Sequence, residues 1–179
     1  MRNVILVGVD GSSNSDRGLE WAIVEANIRN WPLRLVSAFP TASVADPVVG
    51  ASYALAARRE AKAILDHATK RAEARSVRTE AHVECGDATK VLVEHSETAK
   101  LAVVGKRGRG GFVGRLLGSV SSGLAASSHC PTVVIPQEGH ESAINGLSFA
   151  GQIVMAVDSG LQGPRAHLMG SRGNGAHPR

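Results

Sequence analysis

The densest chemistry in the chain lies in the stretch Val103-Val104-Gly105-Lys106-Arg107-Gly108-Arg109-Gly110-Gly111, which runs on to Gly118-Ser119-Val120. A buried run that ends in glycine lets the chain turn with positive φ and lets a ligand approach bare backbone. Gly118 and Ser119 open a helical pattern, and the first N–H groups of a helix attract anions. Lys106, Arg107, Arg109 and Arg115 add positive charge within ten residues that contain no acid. Phosphate suits all three features; a surface loop whose basic residues are merely solvated is the alternative reading. The stretch contains no G-x-x-x-x-G-K-[ST] and no G-x-G-x-x-G, so it is neither a P-loop nor a dinucleotide fingerprint.

The other residue placed for chemistry is Asp10, which closes the apolar run 4–9. It can serve a ligand, or it can be a turn or cap residue before the first helix. No hydrolytic machinery is visible. The segment 119–123 begins with serine where a nucleophile elbow needs glycine. A response-regulator reading fails because the third strand ends at Cys85, where an acid would be phosphorylated, and no lysine follows the fifth. His67 and His95 fall in helical patterns, His82 in a strand, and His140, His167 and His177 in irregular segments, with no two at ligand spacing. Cys85 and Cys130 form no disulfide framework and no metal-ligand motif, which fits a reducing compartment and argues against zinc. Cys130, beside Pro131, reads as packing at the start of a strand.

These residues need elements to hold them. Short β-branched runs at 4–9, 33–39, 77–84, 101–104 and 132–135 alternate with amphipathic stretches at 14–29, 51–75, 88–97 and 119–128. That alternation predicts βαβ units and a parallel sheet covered on both faces. In the first helix Leu19, Ala22, Ile23 and Ala26 form one apolar stripe for the sheet. Asp87 is placed to cap the third, with Val91 and Leu92 on its buried side. An apolar share of 43% and a charged share of 20% allow a globular core in a chain of 179 residues, long enough for one domain and part of another. No run reaches the roughly 18 apolar residues of a membrane span, and a cytoplasmic location is expected. Net charge is +4, but aromatics at 3% are too few for a nucleic-acid stacking platform.

The spacing Gly105-x2-Gly108-x9-Gly118-Ser119 resembles that of the universal stress protein family, the UspA-like domain. The opening Val9-Asp10-Gly11-Ser12 and the closing segment from Ser127 to Pro136 resemble it too, so the likeness covers residues 1–137. It implies an α/β fold, Rossmann-like and adenine nucleotide alpha hydrolase-like, with a five-stranded parallel sheet in the order 3-2-1-4-5. It also implies that ATP or another adenine nucleotide is the ligand. By that resemblance Asp10 would contact the ribose or a phosphate-bound magnesium, and Gly8 would lie close to the base. Ala38 and Val104 would lie against adenine, while Gly105, Gly108, Gly118, Ser119 and Val120 would offer N–H groups to phosphates, Ser119 its hydroxyl as well. Lys106, Arg107 and Arg109, with Gly110 and Gly111 between them and the helix, join the site on charge and position alone.

Residues 138–151 read as a linker. Beyond them, Ile153-Val154-Met155-Ala156-Val157-Asp158 mirrors Ile5-Leu6-Val7-Gly8-Val9-Asp10, as if a second copy began within 152–179, but a Gly- and Arg-rich tail without periodicity follows. The family resemblance implies pairing through the strand at 132–135, hence a homodimer. A nucleotide-dependent regulator in stress response, with an unidentified protein partner, is the expected function. A weak magnesium-dependent ATPase or phosphotransferase and a dimerisation module without ligand are the alternatives.

Overall fold

A computed structural model of the chain describes residues 3–41, 47–108 and 117–135. The expected linker, the segment 153–158, the tail, and Arg109, Gly110, Gly111 and Arg115 of the basic loop lie outside the described residues. The elements run β1 (Ile5–Gly8), α1 (Ser13–Arg29), β2 (Leu33–Phe39), α2 (Pro47–Glu73), β3 (Thr79–Cys85), α3 (Ala88–Ser96), β4 (Leu101–Gly105), α4 (Ser119–Ser127) and β5 (Thr132–Ile135). All four strand pairings are parallel and the order is β3-β2-β1-β4-β5.

Alternation along the strands assigns the two faces. Ile5, Val7, Leu33, Leu35, Val103, Val133 and Ile135 pack beneath Leu19, Ala22, Ile23 and Ala26 of α1 and Leu65, Ala68 and Ala72 of α2. Leu6, Val36, Ala102, Val104 and Val134 pack on the opposite face with Val91 and Leu92 of α3 and Leu124 of α4. A strand covered on both sides has no polar side to show, hence the unbroken Ile, Leu and Val runs.

Local signals set most boundaries. Ser12 caps α1 by accepting the N–H of Ser15, and Asp87 caps α3 by accepting that of Lys90 at 3.0 Å. The apolar pattern placed the start of α2 at residue 51. It begins instead at Pro47, because proline is pre-set for the first helical position, where no N–H partner is required. β3 starts at Thr79 rather than 77, since the chain is still leaving α2 there: the Val77 N–H bonds the Ala72 carbonyl at 3.1 Å.

One buried charge ties the α3 face together. Arg34 of β2, 9% exposed, donates to Glu80 of β3 at 3.3 Å and to the Thr98 hydroxyl beyond α3 at 2.7 Å. Replacing Arg34 with alanine leaves both acceptors short of a donor and is expected to cost about 1–3 kcal/mol, read as a lower denaturant midpoint at unchanged slope.

Cys130 is buried, with its hydrogen-bonding neighbour Ser128 beneath it, and burial pushes its thiol up, partly opposed by that neighbour. Cys85 is exposed. Native protein treated with an alkylating reagent at pH 8 is therefore expected to take one label, at Cys85, and a second only after denaturation, as peptide mass mapping would show.

Candidate functional site

The order β3-β2-β1-β4-β5 sends the chain outward from β1 on one side and returns it through β4 on the other. A crevice opens beyond the carboxyl ends of these two strands, where the connections diverge. A cavity of about 280 Å³ occupies that place, close to the lower end of the range for small-molecule pockets.

Its inner wall is apolar and contributed by the sheet. Gly8, Val36, Ala38 and Val104 lie side by side there, and Ala88 and Leu92 of α3 face them. Gly8 keeps the slot open: a methyl group at that position would come within 2.9 Å of Leu92 Cδ1 and 3.2 Å of Val104 Cγ1. The outer wall is polar and made by the glycine loop: Gly105, Arg107 and Gly108 on one side, with Gly118, Ser119 and Val120 opening α4 on the other. The N-cap of α4 is Gly118, which has no side chain to bond the helix's first N–H groups. Those groups form the partial positive charge on which an anion can sit.

Asp10 spans both readings offered for it. Its Oδ1 accepts the Ser12 N–H at 2.9 Å, an Asx turn leading into α1. Its Oδ2 lies across the cavity mouth from Gly108, 2.3 Å from where a Cβ on that glycine would stand. The cap itself is Ser12.

Of the residues expected at the site, Gly8, Asp10, Ala38, Val104, Gly105, Arg107, Gly108, Gly118, Ser119 and Val120 all line this cavity. Lys106 does not: its backbone is clamped instead, its N–H bonding the Ile135 carbonyl at 2.7 Å and its carbonyl accepting the Gly118 N–H at 2.9 Å. Positive φ also proves the wrong reason for the loop glycines. Gly11 and Gly86 have that geometry among the described residues, whereas Gly105, Gly108 and Gly118 do not. At Gly105 and Gly108 a Cβ would instead stand 2.6 Å from the Asn14 backbone and 2.3 Å from Asp10 Oδ2.

Several contributors carry no signal in the sequence. Ser121 donates its hydroxyl to the Lys106 carbonyl at 2.9 Å and so fixes the loop to the start of α4. Leu92, expected only as core, is cavity wall. Nor did spacing pair any histidines, yet His82 and His95 stand with ring centroids 5.1 Å apart on the outer part of the α3 face. Burial pushes the His95 imidazole below its ordinary range and His82 adds to that, while Glu84 opposes it.

The sheet order and the crevice define a doubly wound α/β protein with a five-stranded parallel sheet. The family description "Universal stress protein family" matches residues 1–136, and the chain belongs to that family. It is similar to universal stress protein Rv1996 of Mycobacterium tuberculosis, 33% identical over 152 residues, covering 75% of this chain and 48% of that protein. The chain thus spans about half the length of the curated relatives it matches. Among solved structures, UspA from Lactobacillus plantarum superposes with a TM-score of 0.68 at 18% identity, over 75% of this chain and 98% of that one, a likeness of fold. A universal stress protein crystallised in complex with cAMP is 28% identical, with a TM-score of 0.58 over 74% of this chain and 96% of its own. No helix among the described residues is long and apolar enough to cross a membrane.

Proposed function

We propose that this chain is a nucleotide-dependent regulatory protein that binds ATP or a related adenine nucleotide in the crevice between β1 and β4. The observation that carries the reading is the continuity of the two walls. An apolar slot of Gly8, Val36, Ala38, Val104 and Leu92 suits a purine and leads directly to a backbone cradle at Gly105, Gly108 and the N-terminus of α4, which suits phosphates. The relative bound to cAMP supports the same class of ligand.

Magnesium fits this donor set. The ion takes one or two carboxylates together with phosphate oxygens, and among the described residues Asp10 supplies the one carboxylate lining the cavity. When bound, magnesium would neutralise phosphate charge. The chain's own residues bind and orient: Ser121 and Gly118 hold the Lys106 carbonyl, and thereby the loop, against α4. No cavity residue is arranged as a nucleophile with an adjacent base among the described residues, which favours binding over turnover.

A homodimer through β5 belongs to the same reading. β5 is an edge strand whose four residues, Thr132–Ile135, are all buried, and among the described residues it pairs with β4 alone. The opposite edge, β3, carries Glu80, His82 and Glu84, the kind of charge that discourages edge pairing. A single species of monomer mass in sedimentation at micromolar concentration would remove the dimer from the proposal.

Calorimetric titration of nucleotide-free protein with ATP and magnesium, with AMP and cAMP alongside and released phosphate followed, tests the function. Binding without phosphate release is the expected result. Ligand at a hundredfold above its Kd should add about 2.7 kcal/mol to stability, seen as a raised Tm. Phosphate release would replace the regulator with an enzyme, and absence of binding would leave a dimerisation module.

A further inference from the structure

On the outer part of the α3 face, away from the nucleotide cavity, three potential ligand side chains converge. His82 and Glu84 are two residues apart on β3, so they project to the same side of the sheet. Their partners in register on β2 are Val36 and Ala38, which places them on the side covered by α3. His95 comes down from the last turn of α3. Its Nε2 lies 3.4 Å from Glu84 Oε1, and His82 Nδ1 lies 4.0 Å from the same oxygen. One donor atom from each of the three lies within 4.8 Å of the other two.

We propose that His82, Glu84 and His95 form a divalent metal site that takes zinc. Two imidazoles and a carboxylate are the donor set of three-ligand zinc sites with a position left open. Magnesium and calcium prefer oxygen alone. With metal–ligand bonds of about 2.0–2.2 Å, tetrahedral ligands stand roughly 3.3 Å apart. Small side-chain rotations therefore close the set around one ion. His95 is within hydrogen-bond reach of Glu84, while the His82 ring sits edge-on to His95 with its Nδ1 4.0 Å from the same Glu84 oxygen, so all three side chains face one point.

The surroundings suit a cation. The three side chains open onto a groove that also holds Glu94 and Arg34, and Arg34 is itself engaged by Glu80 and Thr98. Counting Glu80, Glu84 and Glu94 against Arg34, acids outnumber the base. Side-chain exposures of 38% for His82, 40% for Glu84 and 19% for His95 leave room for a water or another ligand on the groove side. Ligation would also staple edge strand β3 to α3.

The test is calorimetric titration of the chelator-treated full chain with zinc chloride in excess magnesium, with Tm measured in parallel. One zinc per chain and a raised Tm are expected. His82→Ala, His95→Gln and Glu84→Gln should each weaken binding at least about tenfold, the scale on which even outer-sphere partners act. His67→Ala, His129→Ala and the combined replacement of His140, His167 and His177 should leave it unchanged. Far-UV circular dichroism checks that each variant folds. On the unaltered chain, zinc should protect His82 and His95 from diethyl pyrocarbonate, a readout that needs no variant. The proposal is overturned if zinc binds the His82→Ala/His95→Gln double variant as tightly as the parent, if removing the three C-terminal histidines abolishes binding, or if neither histidine is protected.

Discussion

Replacing Gly105 with alanine is expected to destabilise the protein by about 2–3 kcal/mol, the upper part of the usual range for forcing a methyl into a packed interior, and to lower Tm by roughly 4–12 °C at this size. The added Cβ would stand 2.6 Å from both the carbonyl carbon and the carbonyl oxygen of Asn14. Those are backbone atoms in the first turn of α1, so no rotamer change relieves the contact and the helix must move off the sheet. α1 cannot move cheaply, because Leu19, Ala22 and Ile23 are buried against β1 and β4. Thermal unfolding followed by circular dichroism reads the loss; a Tm within 2 °C of the parent would show that α1 tolerates displacement there and that Gly105 has another purpose.

Gly108→Ala is expected to do the reverse, sparing the fold and damaging the site. Its Cβ would fall 2.3 Å from Asp10 Oδ2, the end of a side chain that can swing aside. Gly108 belongs to no helix or strand and has no positive φ, so stability should fall by less than about 0.5 kcal/mol, as for substitutions clear of the core. The displaced carboxylate is the one that faces the phosphate end of the cavity. On the proposed function, affinity for the nucleotide with magnesium should drop about ten- to a hundredfold, measured by calorimetry on a protein whose Tm without ligand is unchanged. Asp10→Asn should lose affinity in the same direction while leaving Gly108 undisturbed. Parent-like affinity in both variants would remove Asp10 from the site.

The contrast between these two glycines marks how far the sequence could be read. Gly105-x2-Gly108-x9-Gly118-Ser119 located the loop, and ten of the residues expected around it line one cavity. The reason for each glycine was hidden, because the atoms that exclude a side chain come from Asn14 and Asp10, nearly a hundred residues earlier in the chain. Lys106 shows the converse: its charge suggested phosphate contact, whereas its main chain joins β5 and α4 together.

By itself the sequence determined what depends on near neighbours. The alternation of β-branched runs and amphipathic stretches is a local pattern, as are the Asp87 cap and the stripe Leu19, Ala22, Ile23 and Ala26. These specified the elements and, through the family resemblance, their order in the sheet. Only the tertiary structure decided what meets across a crossover. Ser121 reaches Lys106 because α4 folds back on β4, and His95 reaches His82 and Glu84 because α3 packs over β2, next to edge strand β3 on the same face of the sheet. Such contacts leave no periodicity in the chain. Their spacing is set by the path of the backbone through space, and the same residues on an exposed helix and strand would be ordinary surface polar groups.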